Sequence, residues 1–176
     1  AHLVFDRDAL DCDYFGTSLH KWLTAPFGTG FLYVRREKIG PLWPLFAAEK
    51  PHSEDIRKFE AYGTHPVAIV IAIGDAIAFH EGMGGKRKEE RLRFLRESWL
   101  RPALELKRVR CHSSLKPEFS CAIATIEVDG IEPPALYEEL LTKHQIVTTP
   151  IQHEEFNGIR VTPNVYTTRA DLDRFV

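Results

Sequence analysis

The chain has almost no charge imbalance. Its 23 Lys and Arg face 25 Asp and Glu across 176 residues, leaving a formal net charge of -2. Without a basic excess there is nothing to hold a polyphosphate backbone, so no nucleic-acid partner is expected. Long apolar runs are also missing. The longest, Pro66 to Phe79, is too short to span a bilayer and contains Asp75. No block of like charge marks a membrane-surface segment, so no membrane partner is expected either. Cysteine is sparse: Cys12, Cys111 and Cys121 form an odd set without metal-ligand spacing. This favours a reducing, cytoplasmic compartment and no bound metal. The opening Ala1-His2-Leu3-Val4-Phe5 has neither the basic segment nor the cleavage site of a secretory leader. Repeats and low-complexity tracts are absent. What remains is the composition of an ordinary globular protein.

Hydrophobic periodicity outlines the elements. Ala1 to Phe5 reads as a strand end and Asp6 to Leu10 as a turn or short helix. Asp13 to Thr17 and Gly30 to Val34 read as strands rich in aromatic and β-branched residues. Arg35 to Leu42 suggests a short helix and loop, and Phe46 to Tyr62 an irregular polar stretch. Pro66 opens a helix through about Glu81, with Ala68, Ile69, Ala72, Ile73, Ala76 and Phe79 at helical spacing. Lys86 to Leu106 forms a charged helix whose Leu92, Leu95, Trp99 and Leu100 share one face. Val109 to His112 and Ser120 to Val128 alternate as strands. A helix follows Pro133-Pro134 through His144, and Ile146 to Thr149 and Gly158 to Thr162 read as short strands. Thr168-Arg169-Ala170-Asp171 is a capping box for a last helix. Cys121 reads as a core residue, and Trp22, Trp43 and Trp99 as packing residues.

The chemistry concentrates in Ser18-Leu19-His20-Lys21, placed after one strand and before the glycine-bracketed turn Phe27-Gly28-Thr29-Gly30 that leads into the next. A lysine at the end of a buried strand loses hydration, and is neutralised, paired or used covalently. A hydroxyl and an imidazole just before it can donate to an anion, and its amine can condense with an aldehyde. Downstream, Gly63-Thr64-His65-Pro66 offers a permissive backbone and a hydroxyl beside a helix start, where Thr64 would serve equally as a plain N-cap. In Gly158-Ile159-Arg160-Val161-Thr162-Pro163, Arg160 carries a planar fork suited to a carboxylate.

With these motifs in this order, the chain resembles the class V aminotransferase family of fold type I pyridoxal-phosphate enzymes. The likeness runs nearly end to end and is strongest to the isopenicillin-N-epimerase-like and cysteine-desulfurase-like branch. The resemblance implies an α/β fold: the C-terminal part of a large cofactor-binding domain (residues 1–85), a connecting helix (86–106) and a small C-terminal α+β domain (107–176). It implies pyridoxal 5'-phosphate as cofactor, with Lys21 as the Schiff-base lysine and Ser18 and His20 holding the phosphate. It also implies a homodimer in which Thr64, with Gly63, reaches the phosphate in the partner's site. Arg160 would pair with the carboxylate of an amino-acid-type substrate, and His65 would face it. The family's aspartate partner of the pyridinium nitrogen, and the residue that stacks on the ring, would lie before Ala1, so the chain resembles only part of such an enzyme.

Desulfurases of the family carry a nucleophilic thiol on the loop before the arginine. Here that region reads Gln152-His153-Glu154-Glu155-Phe156-Asn157, without cysteine. Epimerisation or transamination at an amino-acid α carbon is therefore the expected activity. A carbon–sulfur or carbon–selenium lyase, and a non-catalytic module keeping the fold for dimerisation, are the alternatives.

Overall fold

The computed structural model describes residues 1–61 and 63–176; Tyr62, at the end of the stretch expected to be irregular, lies outside them. The chain divides into two compact units. One comprises residues 3–83 with Ala1, the other residues 84–176 with His2.

In the first unit, α1 (Arg7–Leu10) is capped by the Asp6 carboxylate, which accepts from the Asp8 amide at 2.8 Å. No strand forms over Ala1 to Phe5, contrary to expectation. The strands β1 (Tyr14–Ser18) and β2 (Gly30–Val34) pair antiparallel with Ser18 opposite Gly30. Glycine suits position 30, since a Cβ there would stand 3.0 Å from the Thr17 carbonyl oxygen. The pair is its own two-stranded sheet, and β1 has no buried residue. The expectation of a buried strand before Lys21 is thus corrected: among the described residues β1 pairs with β2 alone and none of its side chains is fully buried.

The segment between β1 and β2 is folded on itself. Leu19 N–H donates to Thr29 O at 3.0 Å and Ala25 N–H to Leu19 O at 3.2 Å. Thr24 and Gly28 take the left-handed backbone at φ 62° and 83°. Leu19, Leu23 and Ala25 pack on Ala76, with Ile73 beside them, in the middle of α3 (Val67–Met83). Between these lie α2 (Arg36–Ile39) and a 3-10 turn at Ile56–Glu60. That turn buries Lys58, whose ammonium donates to the carbonyls of Ile39, Gly40 and Pro51. Three acceptors satisfy its three donors, a structural use of lysine that spacing alone does not reveal. Trp43 is 64% exposed, edge-on to His52, and is not the packing residue it was expected to be.

The second unit is built on α4 (Gly85–Glu105). Leu92, Leu95, Trp99 and Leu100 recur at helical spacing and are all buried to 1% exposure or less. Behind them stands a four-stranded antiparallel sheet of order β3-β4-β6-β5, from β3 (Val109–Cys111), β4 (Ala124–Val128), β5 (Thr149–Gln152) and β6 (Asn157–Val161). Ala124, Ile126, Ile159 and Val161 face the core, as the two-residue period requires. The helices α5 (Pro133–His144) and α6 (Arg169–Phe175) complete it through Leu140 and Leu172. The Thr168–Asp171 capping box forms as read from sequence.

One strand is displaced. It was expected over 146–149 but begins at Thr149. Gln145 ends α5 in the left-handed region at φ 56°, and the amides of Gln145 and Ile146 return to the helix carbonyls. Those residues serve the helix end before the chain can reach the sheet. Likewise β4 starts only at Ala124, because Pro117–Phe119 makes a 3-10 turn. Among the described residues no single helix is long and apolar enough to cross a membrane.

Candidate active site

Ser18 closes β1, and His20 and Lys21 stand on the folded segment after it. The anchoring is by backbone and by apolar neighbours: Leu19 and Leu23, either side of His20 and Lys21, are buried against α3. Hydrophobic residues thus hold the segment while the polar ones between them point elsewhere. His20 Nδ1 lies 3.3 Å from Thr29 O, an acceptor, so this nitrogen carries the proton and Nε2 is left for a ligand. Thr29 is itself buried and donates its hydroxyl to Pro26 O at 2.7 Å, which fixes the carbonyl that His20 uses. The Phe27 ring lies 5.9 Å from the imidazole.

Among the described residues, the Ser18 hydroxyl, His20 Nε2 and the Lys21 ammonium meet no hydrogen-bonding or ionic partner. Lys21 is exposed. Three adjacent groups with unused hydrogen-bonding capacity, one of them positively charged, suit an anion such as a phosphate ester, with the amine available to a carbonyl group.

Gly63 and Thr64 lie exposed ahead of α3, with Gly63 at φ 46°. Among the described residues the Thr64 hydroxyl caps nothing; Pro66 O accepts from the Ile69 and Val70 amides of the first turn. The N-cap role is therefore excluded for Thr64. Its hydroxyl makes no hydrogen bond among the described residues. His65 Nε2 lies 3.0 Å from Glu60 O. α3 meets the segment bearing Lys21 at Ala76, about 13 Å along the axis from the helix start at 1.5 Å per residue. Among the described residues of this unit, nothing brings Thr64 or His65 onto Ser18, His20 and Lys21.

In the second unit Arg160 stands on β6 opposite Thr125 of β4 and Thr149 of β5. It is exposed on the sheet face away from the core, since its neighbours Ile159 and Val161 point inward. Its Nη2 reaches Thr149 Oγ1 at 3.4 Å and makes no ion pair among the described residues, leaving most of the fork available. Gly158 permits this packing: a Cβ at 158 would come within 2.4 Å of the Ile126 carbonyl oxygen. The turn before Arg160 is a short hairpin end. Gln152 pairs with Asn157, and His153 N–H donates to Phe156 O at 3.1 Å. Phe156 is stacked on His112 at 5.1 Å, and His112 lies 2.6 Å from Glu127. Sequence reading missed His112, Phe156 and Glu127, because only strand pairing brings them together.

A family model described as aminotransferase class-V matches residues 1–175. Isopenicillin N epimerase of Amycolatopsis lactamdurans is 27% identical over 185 residues, covering 96% of this chain and 46% of that protein. Apo cysteine desulfurase from Thermococcus onnurineus NA1 superposes with a TM-score of 0.81 at 24% identity, over 96% of this chain and 46% of that one. A mutant of the cystine C–S lyase C-DES, with glycine covalently linked to its pyridoxal-phosphate cofactor, superposes with a TM-score of 0.82 at 19% identity, over 97% and 46%. The chain spans about half the length of the curated relatives it matches.

Proposed function

Because the chain belongs to the aminotransferase class-V family, we propose that it is the lysine-bearing and C-terminal part of a pyridoxal-phosphate-dependent enzyme. The substrate is an amino acid or a molecule containing one, and the reaction is at its α carbon. When bound, the cofactor supplies an aldehyde for a lysine amine and a ring that takes up the electron pair left by the departing α proton. The Ser18 hydroxyl and the His20 imidazole hold its phosphate. The Lys21 amine serves as Schiff-base partner, and as the base that takes the α proton and the acid that returns it. Arg160 grips the substrate carboxylate through its fork, fixing which α bond is presented. In a homodimer, Thr64 and Gly63 serve the phosphate of the partner's site, which accounts for a hydroxyl that makes no hydrogen bond among the described residues.

The carrying observation is the run of polar groups without partners among the described residues at Ser18, His20 and Lys21, in a chain that the family model matches almost throughout. Epimerisation or transamination is the favoured outcome, and cytoplasmic location follows from the sparse, unpatterned cysteines. Carbon–sulfur lysis is the second reading, supported by the fold of C-DES. The 153–156 turn, tight and without cysteine, weighs against a persulfide-forming desulfurase.

Full-length protein with pyridoxal phosphate is expected to show a visible absorbance band that borohydride abolishes, and Lys21→Ala is expected to lack it. A full band in Lys21→Ala would defeat the proposal. Arg160→Ala should raise KM for amino acids while leaving the band intact. Chiral, keto-acid and sulfide analysis of the products separates the three outcomes.

A further inference from the structure

The outward face of the sheet in the second unit is not bare. Ala124, Ile126, Ile159 and Val161 point to the core, so by the two-residue period Thr125, Glu127 and Arg160 point away from it. Val109 and Cys111 pack against the core, which turns Arg110 and His112 outward beside them. His112 N–H donates to Thr125 O at 2.9 Å, so His112, Thr125, Arg160 and Thr149 stand in one row across the strands. Thr125 is only 8% exposed and Gly158 is buried, although both lie on this outward side. The Phe156 ring, two residues before Gly158, stacks on His112 across β4 and roofs this part of the face.

His112 is itself held. Its Nε2 lies 2.6 Å from Glu127 Oε2, and the other carboxylate oxygen accepts from Arg110 Nη2 at 2.8 Å. The anchor matters because of what hangs from it. Among the described residues β5 pairs with β6 alone, and its Pro150, opposite Ile159, has no N–H to give. Such an edge strand keeps its register through the turn that joins it to its partner. That turn, residues 153–156, closes the Gln152–Asn157 pair, and its Phe156 ring ties it to His112. At the far end of the same ladder Thr149 Oγ1 lies 3.4 Å from Arg160 Nη2. A shift of β5 therefore moves the hydroxyl against which the guanidinium rests.

We propose that His112, steadied by Glu127, is a positioning residue for substrate binding. Through Phe156 it fixes the 153–156 turn, and through β5 and Thr149 it holds the Arg160 fork in place for a carboxylate. The inference rests on the reading of Arg160 as the carboxylate-binding residue. A guanidinium grips a carboxylate best when two parallel N–H bonds form at once, so a small rotation of the fork costs affinity. His112 and Phe156 act through Arg160 and need not touch the substrate.

The test uses full-length protein saturated with pyridoxal phosphate. The twenty common L-amino acids are the probes, and the one that shifts the cofactor absorbance at the lowest concentration is carried forward. Phe156→Ala and His112→Ala are expected to weaken its binding about five- to tenfold, less than the roughly hundredfold that a misplacement of about 1 Å brings. The cofactor band before addition stays unchanged, and KM rises while kcat is kept. His112→Phe, which retains the stack, is expected to recover most of the loss. Amide exchange should quicken over residues 149–157 and stay slow in α4, which separates a loosened hairpin from an unfolded variant. The decisive readout is Arg160→Ala combined with Phe156→Ala. Binding is expected to be no weaker than in Arg160→Ala alone, because a residue that acts through Arg160 has nothing left to act on. Additive losses in the double variant, or undiminished binding in Phe156→Ala and His112→Ala, would overturn the proposal while leaving the role of Arg160 intact. Undiminished binding in Arg160→Ala would instead defeat the reading of Arg160, and this inference with it.

Discussion

At position 158 a side chain has nowhere to go. A Cβ would press to 2.4 Å from Ile126 O and 3.1 Å from the Thr125 methyl, both on the adjoining strand. Gly158→Ala should therefore cost about 1–3 kcal/mol, the range of an overpacked site, read as a lower urea midpoint with unchanged slope. Gly74, within α3, has open space where its Cβ would stand, so Gly74→Ala should be neutral or stabilising by up to about 1 kcal/mol. The same glycine type gives opposite signs because one neighbours a backbone and the other does not. Single residues were legible in the chain where their chemistry is local. Ser18, His20 and Lys21 are contiguous, so a linear reading finds them together. The burial of Lys58 and of Arg96 was invisible, because their partners come from distant turns and charged residues read as surface by default. Lys21 shows the converse, for the burial expected of it was inferred from a strand that carries no fully buried residue.

Among the elements, helices were easier to read than strands. α3 to α6 fall within a few residues of where periodicity and capping put them, because each signal lies inside the segment it describes. β5 was misplaced since Ile146 and Val147 are apolar enough for a strand, yet the amides of Gln145 and Ile146 turn back to finish α5. The cap of α6 gives a direct check. Thr168→Ala removes the hydroxyl that accepts from the Asp171 amide at 3.2 Å and should cost about 1 kcal/mol, measured by thermal or denaturant unfolding. The β3–β4 pair carries a pH dependence of its own. His112, and then Arg110, hold the Glu127 carboxyl below its ordinary value of 4.5. A depressed carboxylate stabilises the fold at pH above its unfolded value and loses that contribution as the pH falls below it. Glu127→Gln should therefore flatten the decline in stability below about pH 4.5 without changing its slope near neutrality. Urea midpoints along the acid limb, wild type against variant, make the comparison.

Over the whole molecule the two units differ in how they are closed. The second has a continuous core in which Leu95, Trp99, Leu100, Ile126, Ile159 and Leu172 are all nearly inaccessible. In the first, the buried apolar cluster is four residues deep, while Phe27, Trp43, Leu45, Val67 and Ile71 stand exposed. Amide exchange in this chain should accordingly be slowest in α4, β4 and β6 and fastest in β1 and β2. Leu95→Ala, at zero exposure, should cost about 2–5 kcal/mol and accelerate exchange throughout the second unit rather than at one helix. Equal protection of both units would contradict this picture.

The last helix has a consequence for synthesis. Leu172 seals the core around Leu95 and Trp99, and Phe175 lies edge-on to the Trp99 indole at 5.3 Å. A nascent chain that has not yet cleared the ribosomal tunnel through position 175 therefore leaves that indole wet, however complete its sheet. The second unit is bound to finish folding only after those residues emerge, so a stalled ribosome would present a chaperone with a half-made barrier to water in place of a domain.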